Sequence, residues 1–247
     1  MALIHSLEKE GNFLFKYRGQ IPVILFVAAI PVIYFTPIDW MSDNYKMVWT
    51  IAAIALSVFG FVFRAYAIGT TPKGTSGRNT KKQVADVLNS TGIYSIVRHP
   101  LYVGNYFMWI GIVAYTFNIY YVIIVTLAYW LYYERIMFAE ERYLESKFGE
   151  DYLSWSLKAP AFIPSFKNYI PSSTPFSMRT VLRREYAGVL ATVIGFVFVE
   201  VARVYFHETV FEFPDFHMKF LAGTVVVTLI LRSLKKYTSV LKDKERD

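Results

Sequence analysis

The chain has 247 residues, of which 55% are hydrophobic and 18% charged, a balance that fits an integral membrane protein better than a soluble globule. It contains no cysteine, which excludes disulfides, thiolate nucleophiles and thiolate-ligated metals. The net charge of +7 is interpreted as an excess of Lys and Arg on the cytoplasmic side of a membrane protein, so nucleic-acid binding is not predicted.

Six apolar stretches predict an all-α, polytopic membrane helix bundle that forms a single domain over residues 1–247. They cover residues 21–36, 47–68, 100–117, 119–138, 186–206 and 220–234. Only Asn118 separates the third stretch from the fourth, so these two are predicted to form a helical hairpin. After the fourth stretch, Tyr143, Leu144, Phe148 and Tyr152 recur at helical spacing and predict an interfacial helix over residues 140–152.

Basic residues predict the orientation of these spans. Lys and Arg cluster before the first span, between the second and third, after the fourth and after the sixth, whereas the loops on the opposite side hold only Lys46 and Lys219. By the positive-inside rule, both termini and the polar ends of the hairpin face the cytoplasm, in the inner membrane for a bacterial protein. Within the fifth span, Glu200 and Arg203 are three residues apart and predict an internal ion pair.

Two polar blocks flank the hairpin and carry the residues best suited to chemistry. The first covers residues 91–106 and reads TGIYSIVRHPLYVGNY; the second covers 140–155, reads EERYLESKFGEDYLSW, and is followed by PAFIP at 160–164. A tight hairpin brings Arg98 and His99 close to the glutamates at 140 and 141. Pro100 favours a helix start there, whose free N–H groups attract an anion. Carboxylates and aromatic rings beside this pair suit a ligand that carries a sulfonium or ammonium cation.

The two blocks resemble the isoprenylcysteine carboxyl methyltransferase family through the ordered pattern G-x-Y-x-x-x-R-H-P-x-Y-x-G, then E-E-x-x-L-x-x-x-F-G-x-x-Y and a following I-P. That family belongs to a wider group of membrane methyltransferases that includes the phospholipid N-methyltransferases. The resemblance covers residues 79–164. It implies that S-adenosylmethionine binds in a cytoplasmic pocket and that a lipid or prenylated small-molecule acceptor enters from the bilayer. The last two spans, within 185–234, lie outside it.

The resemblance also implies roles for individual residues. Those expected to contact the cofactor are Asp86, Val87, Leu88, Asn89, Tyr94, His99, Pro100, Leu101, Tyr102, Glu140 and Glu141, with Asn79 as a further contact. Those expected to act in catalysis are Arg98, His99, Arg135 and Glu140. Apart from the resemblance, Arg64, Arg78 and Arg135 are candidates to orient an anionic acceptor through charge-assisted hydrogen bonds, and Ile136 stands at the family's acceptor-binding position. No metal is expected.

Two positions depart from the family's pattern. Asp86 stands where the isoprenylcysteine enzymes have His, with Asn89 in place of an apolar residue, and Ile136 stands where they have an acceptor-binding Arg. Arg135 is the next residue, but a shift of one residue turns a helical side chain by about 100°. The pattern therefore indicates the methyl donor site better than it indicates the acceptor.

The expected mechanism is direct, in-line methyl transfer from a sulfonium to an oxygen or nitrogen of a lipid head, accelerated by alignment and desolvation. An anionic oxygen needs no base, whereas an amine would need His99 or a glutamate. The surplus of arginines, which make charge-assisted hydrogen bonds, favours a phosphate or carboxylate head. Two alternatives remain open: an NADPH-dependent membrane reductase of a sterol-like or enone lipid, and a non-catalytic membrane scaffold.

Overall fold

A computed structural model describes residues 2–20, 22–75, 83, 85–208 and 215–243. Regular structure in these ranges is helical, and eight α-helices follow one another along the described chain. They are α1 (Leu3–Tyr17), α2 (Pro22–Phe35), α3 (Asp43–Gly69), α4 (Pro100–Ala114), α5 (Ile119–Phe148), α6 (Glu150–Ser156), α7 (Met178–Glu208) and α8 (Asp215–Tyr237). Short 3₁₀ turns occupy Gly92–Ser95 and Phe166–Asn168. The predicted all-α membrane bundle is confirmed.

Four of the helices, α3, α5, α7 and α8, are long and apolar enough to cross a membrane. The apolar helices α2 and α4 are shorter. The predicted hairpin of α4 and α5 is also confirmed. Asn118 caps the second helix of this hairpin, because its side-chain oxygen accepts a hydrogen bond from the backbone N–H of Tyr121 at 2.9 Å.

The prediction of a separate interfacial helix over residues 140–152 was wrong. The second hairpin helix, α5, runs without a break from the membrane segment to Phe148, and only the short α6 follows it. Residues 139–148 read AEERYLESKF, which are mostly good helix formers without Gly or Pro, so nothing stops the helix before Gly149. Glu140 therefore sits on the polar extension of a membrane helix, whose rotation fixes where its side chain points.

An N-terminal helix, α1, was missed by the sequence analysis. It packs against α5, with Phe15 buried in the cluster that contains Tyr133 and Ile136. The available signal was the spacing of Leu3, Leu7, Leu14 and Phe15, which places apolar side chains on one helix face. The charged residues of α1 lie between these apolar residues in the sequence and make the pattern hard to recognise. The helix brings the turn before α2 to the polar end of the hairpin.

The remaining helices are arranged around α3 and α4, which form the most extensive helix pair. The side chain of Ser57 on α3 donates a hydrogen bond to the carbonyl of Met108 on α4 at 2.8 Å, so the two backbones lie close together. Helix α7 packs on α2, α3, α4 and α8. The predicted Glu200–Arg203 ion pair is confirmed, and Tyr115 at the end of α4 donates to Glu200 at 2.8 Å, which ties α7 to the hairpin.

Candidate active site

The polar end of the hairpin, where α4 begins and α5 ends, is held together by Arg98. Its guanidinium donates to both carboxylate oxygens of Glu141, at 2.8 and 3.2 Å, in the bidentate geometry that makes such pairs strong. Its remaining amino group donates to the backbone carbonyls of Ser156 at 2.7 Å and Ala159 at 2.8 Å. One side chain therefore joins the start of α4 to the extension of α5 and to the end of α6.

The backbone completes the connection between the two sequence blocks. The amide of Arg98 donates to the carbonyl of Pro160 at 2.8 Å, and the amide of His99 donates to that of Ala161 at 3.2 Å. The indole N–H of Trp155 donates to the carbonyl of Tyr94 at 2.9 Å. Residues 160–164 (PAFIP) are thus hydrogen-bonded directly to residues 98–100 (RHP), which explains why both occur in one ordered pattern.

His99 lies buried between two carboxylates. Its Nε2 is 2.9 Å from Glu141 Oε1 and its Nδ1 is 3.5 Å from Glu140 Oε2. Burial by itself lowers the pKa of His99, but the hydrogen bonds and negative charges of the two glutamates outweigh it, and the net pKa is raised above its usual value. In the imidazolium form both ring nitrogens are donors that face these carboxylates. Its ring also stacks on Tyr102, with centroids 5.6 Å apart.

A cavity of about 360 Å³ opens beside this cluster. Its walls come from the α1–α2 turn, α3, the loop before the 3₁₀ turn, the start of α4, the extension of α5, α6 and the start of α7. The side chains that line it include Phe15, Arg18, Arg64, Gln83, Val87, Leu88, Asn89, Tyr94, Arg98, His99, Pro100, Leu101, Tyr102, Asn105, Tyr133, Glu140, Tyr143, Leu144, Trp155, Arg184 and Glu185. We refer to it as the polar pocket.

Most of the residues that the sequence marked for the cofactor line this pocket. They are Val87, Leu88, Asn89, Tyr94, His99, Pro100, Leu101, Tyr102 and Glu140, joined by Arg98 and Arg64. Two other marked residues lie beside it and do not line it. Glu141 is turned toward Arg98, and the exposed carboxylate of Asp86 lies 3.7 Å from Lys147.

The structure separates Arg135 and Ile136 from the polar pocket. Arg135 faces outward, where its Nε lies 3.0 Å from Glu10 of α1. Ile136 is fully buried in the apolar cluster beneath Tyr102. Neither lines the pocket, so the acceptor-binding roles expected for them gain no support from the geometry. The remaining marked residues, Arg78 and Asn79, lie outside the described residues.

The comparisons with known proteins agree with this arrangement. Residues 48–151 match the family described as phospholipid methyltransferase. The cobalt-zinc-cadmium resistance protein CzcN of Cupriavidus metallidurans is 35% identical over 167 residues, which cover 66% of this chain and 71% of that protein. The chain belongs to the phospholipid methyltransferase family.

Other relatives are similar over shorter lengths. The protein-S-isoprenylcysteine O-methyltransferase of Xenopus laevis is 30% identical over 127 residues, covering 51% of this chain and 44% of the frog protein. That of Schizosaccharomyces pombe is 35% identical over 86 residues, covering 34% of this chain and 36% of the yeast protein. The chain thus spans less than half the length of these two relatives. No solved structure matches the chain.

Several pocket residues lie outside the part of the chain that matches the family. Phe15 and Arg18 precede it, and Arg184 and Glu185 on α7 follow it. Glu185 accepts two hydrogen bonds from Arg64, at 2.9 Å from Nε and 2.7 Å from Nη2, and its side chain is 3% exposed. The sequence marks none of Phe15, Arg18, Arg184 and Glu185, because no local pattern indicates that the start of α7 packs over the hairpin.

The polar pocket suits S-adenosylmethionine, the methyl donor that this family implies. Glu140 supplies a carboxylate for a cation, and the aromatic rings of Tyr94, Tyr102 and Trp155 lie along the same cavity. Burial, followed by the charge of Glu140, raises the pKa of Tyr94 to about 12, so its hydroxyl stays neutral and can donate a hydrogen bond. The cavity volume falls within the range of about 300–1,000 Å³ that small-ligand sites occupy.

Proposed function

We propose that this protein transfers a methyl group from S-adenosylmethionine to the polar head of a lipid or prenylated acceptor, at the cytoplasmic face of the membrane. The observation that carries the proposal is the polar pocket itself. A carboxylate, Glu140, and three aromatic side chains line a cavity beside the Arg98–His99 pair, in the part of the chain that matches a methyltransferase family. A scaffold without catalytic function would have no need of this arrangement.

The residues of the chain would act by binding and alignment. The cofactor supplies a methyl group on a sulfonium, and when an acceptor oxygen attacks that carbon, the electron pair of the broken C–S bond stays on sulfur. Glu140 and the aromatic rings hold the cationic end of the donor, while Arg98 and Glu141 fix the walls. Excluding water from this buried site and aligning the two reactants supply the acceleration.

An anionic oxygen is the acceptor that the pocket supports best. His99 has a glutamate oxygen 2.9 Å from Nε2 and another 3.5 Å from Nδ1, so neither ring nitrogen is free to remove a proton from an amine. The described residues that line the pocket include four arginines and two carboxylates. The arginines are Arg18, Arg64, Arg98 and Arg184, and the carboxylates are Glu140 and Glu185. A phosphate or carboxylate head needs no base and gains from this positive charge.

Binding to the donor site tests the first part of the proposal. We expect purified protein to bind S-adenosylmethionine in calorimetry and Glu140→Gln to weaken that binding roughly tenfold to a hundredfold, since hydrogen bonds to charged groups contribute about 1.5–3 kcal/mol. Glu145→Gln is the matched control, because Glu145 pairs with Arg142 on the exposed side of the same helix. Binding of NADPH with no binding of S-adenosylhomocysteine would favour the reductase alternative.

Methyl transfer to lipids tests the acceptor. The protein is incubated with methyl-labelled S-adenosylmethionine and a total lipid extract, and labelled lipids are identified by mass spectrometry. We expect the label on a phosphate or carboxylate oxygen. Label confined to amine head groups would contradict the anionic acceptor while leaving the donor site intact.

A further inference from the structure

Residues 159–177, which join α6 to α7, pass from α5 across the start of α4 to the end of α3, and we refer to them as the belt. The ring of Phe162 packs against Trp130 of α5, with centroids 5.6 Å apart. Further along, the hydroxyl of Tyr169 lies 3.4 Å from that of Tyr66 on α3. No side chain of the belt is among those that line the polar pocket, so the belt lies outside the site described above.

The belt exposes apolar side chains and almost no charge. Its sequence reads APAFIPSFKNYIPSSTPFS, in which Lys167 is the only charged residue. Its exposed large apolar side chains are Ile163 (75%), Phe166 (73%), Ile170 (50%), Tyr169 (49%) and Phe176 (49%). Exposed apolar surface of this kind marks a site of contact with a membrane or another protein.

The contact between Phe162 and Trp130 shows how deep the belt reaches. Trp130 lies ten residues before Glu140 on the continuous helix α5, a separation of about 15 Å along the axis. It is 43% exposed and lies within the apolar stretch 119–138. Because Phe162 packs on this side chain, the belt extends to the level at which α5 faces lipid.

The shortness of α4 leaves space for the belt within the membrane. Helix α4 has 15 residues and is about 22 Å long, whereas the apolar stretch of α5 is about 30 Å long and matches the hydrocarbon core of a bilayer. Both helices meet at the same turn, residues 115–118, so α4 begins below the level at which the apolar part of α5 ends. The belt crosses the bundle at this level.

The backbone of the belt is suited to surroundings that offer few hydrogen bonds. Four of its residues are prolines, which have no N–H group. The carbonyls of residues 160 and 161 accept hydrogen bonds from the start of α4, and the amide of Ser165 donates to the carbonyl of Ile96 at 2.9 Å. The amide of Ile170 donates to Ser95 Oγ at 2.9 Å, and its carbonyl accepts from the amide of Gly92 at 2.8 Å. Irregular backbone is tolerated at membrane depth where the protein supplies such partners.

We infer that the belt is inserted in the lipid leaflet on the side of the polar pocket, with Ile163 and Phe166 among the acyl chains and Lys167 extending to the phosphate groups. The surface that it exposes is covered by lipid, in continuity with the lipid-facing surfaces of α3 and α5 that it touches at Tyr66 and Trp130. A long Lys side chain reaches the head groups from such a depth.

Insertion of the belt has a consequence for the position of the site in the membrane. The belt is hydrogen-bonded to Arg98 and His99 through their backbone amides, so its depth in the leaflet sets the depth of the start of α4. The polar pocket is thereby held at a fixed level relative to the lipid head groups. This inference goes beyond the proposed function, since it concerns the membrane around the pocket and holds for any reaction within it.

Spin labels on single cysteines test where the belt lies, because the natural chain contains no cysteine. Nitroxide-labelled Ile163→Cys and Phe166→Cys are placed in nanodiscs of phosphatidylcholine and phosphatidylglycerol, and their collisions with oxygen are compared with those with a water-soluble nickel complex. Leu131→Cys is the lipid-facing reference, since Leu131 is 55% exposed on α5, and Ser154→Cys on α6 is the water-exposed reference. We expect the oxygen-to-nickel ratio at both belt positions to approach that of Leu131→Cys and to exceed that of Ser154→Cys roughly threefold or more.

Two results would contradict the inserted belt. Ratios at residues 163 and 166 that equal the ratio at Ser154→Cys would place the belt in water. Protection of both labels from oxygen and from the nickel complex would also overturn the inference, because the surface would then be covered by protein, such as a second copy of this chain.

Matched acidic substitutions supply a second test that needs no label. Phe166→Asp places a carboxylate among lipids, and we expect it to lower the thermal midpoint in the same nanodiscs by about 3 °C or more. Loss of packing contributes little, because Phe166 is 73% exposed. Ser154→Asp adds the same charge at a water-exposed position and should shift the midpoint by less than about 1 °C. Equal midpoints for the two variants would show that residue 166 lies in water.

Discussion

At the scale of single residues, the centre of the site is a charge cluster that joins distant parts of the chain. Arg98 is hydrogen-bonded to Glu141 and to two carbonyls, and His99 is held between Glu140 and Glu141. Of these two glutamates, only Glu140 lines the polar pocket. We therefore propose that Glu140 binds the ligand and that Glu141 is a positioning residue that orients Arg98 and His99.

This division predicts different results for the two glutamates. Glu141→Gln removes the charge that Arg98 and His99 share, and we expect it to lower the free energy of unfolding by about 2 kcal/mol, the scale of lost hydrogen bonds to charged groups. Thermal unfolding in detergent measures the effect. Glu145→Gln, on the exposed side of α5, should change stability by less than about 0.5 kcal/mol. Equal effects of the two substitutions would contradict the positioning role.

His99 makes the stability of the fold depend on pH. Its pKa in the folded protein is raised by Glu140 and Glu141, above the unfolded value of about 6.5. Protonation then favours the folded state, so the stabilisation is fully present below about pH 6.5 and is lost as the pH rises through the folded pKa. We expect the melting temperature to fall over that window. His99→Gln should flatten the decline, and an unchanged pH profile in that variant would rule out His99 as its source.

The closeness of the Arg98–His99 pair to Glu140 and Glu141 was predictable from the sequence, whereas the direction of the side chains along α5 depends on helix rotation. The short turn at residues 115–118 forces the two polar blocks to the same end of the hairpin, so their proximity followed from the chain alone. Arg135 lies five residues before Glu140 on one continuous helix, which places the two side chains about 140° apart. With Glu140 in the pocket, Arg135 must point away. That conclusion depends on α5 continuing past residue 140, whereas the sequence predicted a separate helix from that residue.

At the scale of secondary-structure elements, the close approach of α3 and α4 sets the geometry of the polar pocket. A Cβ at Gly60 would lie 2.5 Å from the carbonyl oxygen of Gly104 and 2.6 Å from the amide nitrogen of Met108. These are backbone atoms, which cannot move aside without separating the helices. Arg64, one turn further along α3, depends on the same contact for its position in the pocket.

We expect Gly60→Leu to destabilise the protein by about 1–3 kcal/mol or more, the cost of overpacking a well-packed contact. It should also displace Arg64 and reduce methyl transfer. Folded yield and the thermal midpoint in detergent measure the first effect. Gly223→Leu introduces the same side chain into a membrane helix without a close neighbour and serves as the control. Similar midpoints for the two variants would show that α3 and α4 tolerate separation.

Helix α7 is the element whose role the sequence left open. Its apolar run identified a span, and the spacing of Glu200 and Arg203 identified their ion pair, because both signals are local. The pairing of Glu185 with Arg64 joins residues 121 positions apart and has no local signature. Two buried opposite charges on separate helices are stable only together, so this pair fixes α7 against α3 at the level of the polar pocket.

At the scale of the whole molecule, the distribution of charge indicates which side of the membrane the site occupies. The polar pocket lies at the end of the bundle that carries the N-terminal segment, the loop before α4 and the region after α5, where basic residues are concentrated. The opposite end carries the α2–α3 turn, where Asp39 and Asp43 lie. The positive-inside rule then predicts that the pocket faces the cytoplasm, where soluble S-adenosylmethionine is available.

Single cysteines can test this orientation directly, because the natural chain contains none. Ser154 on α6 and Asn44 at the start of α3 are both exposed and lie at opposite ends of the bundle. In intact cells that express each variant, a membrane-impermeant maleimide should label Asn44→Cys and should label Ser154→Cys only after the cells are permeabilised. Both substitutions leave the charge distribution unchanged, so they do not bias the orientation being measured. Labelling of Ser154→Cys in intact cells would place the polar pocket outside, and the donor would then have to come from another compartment.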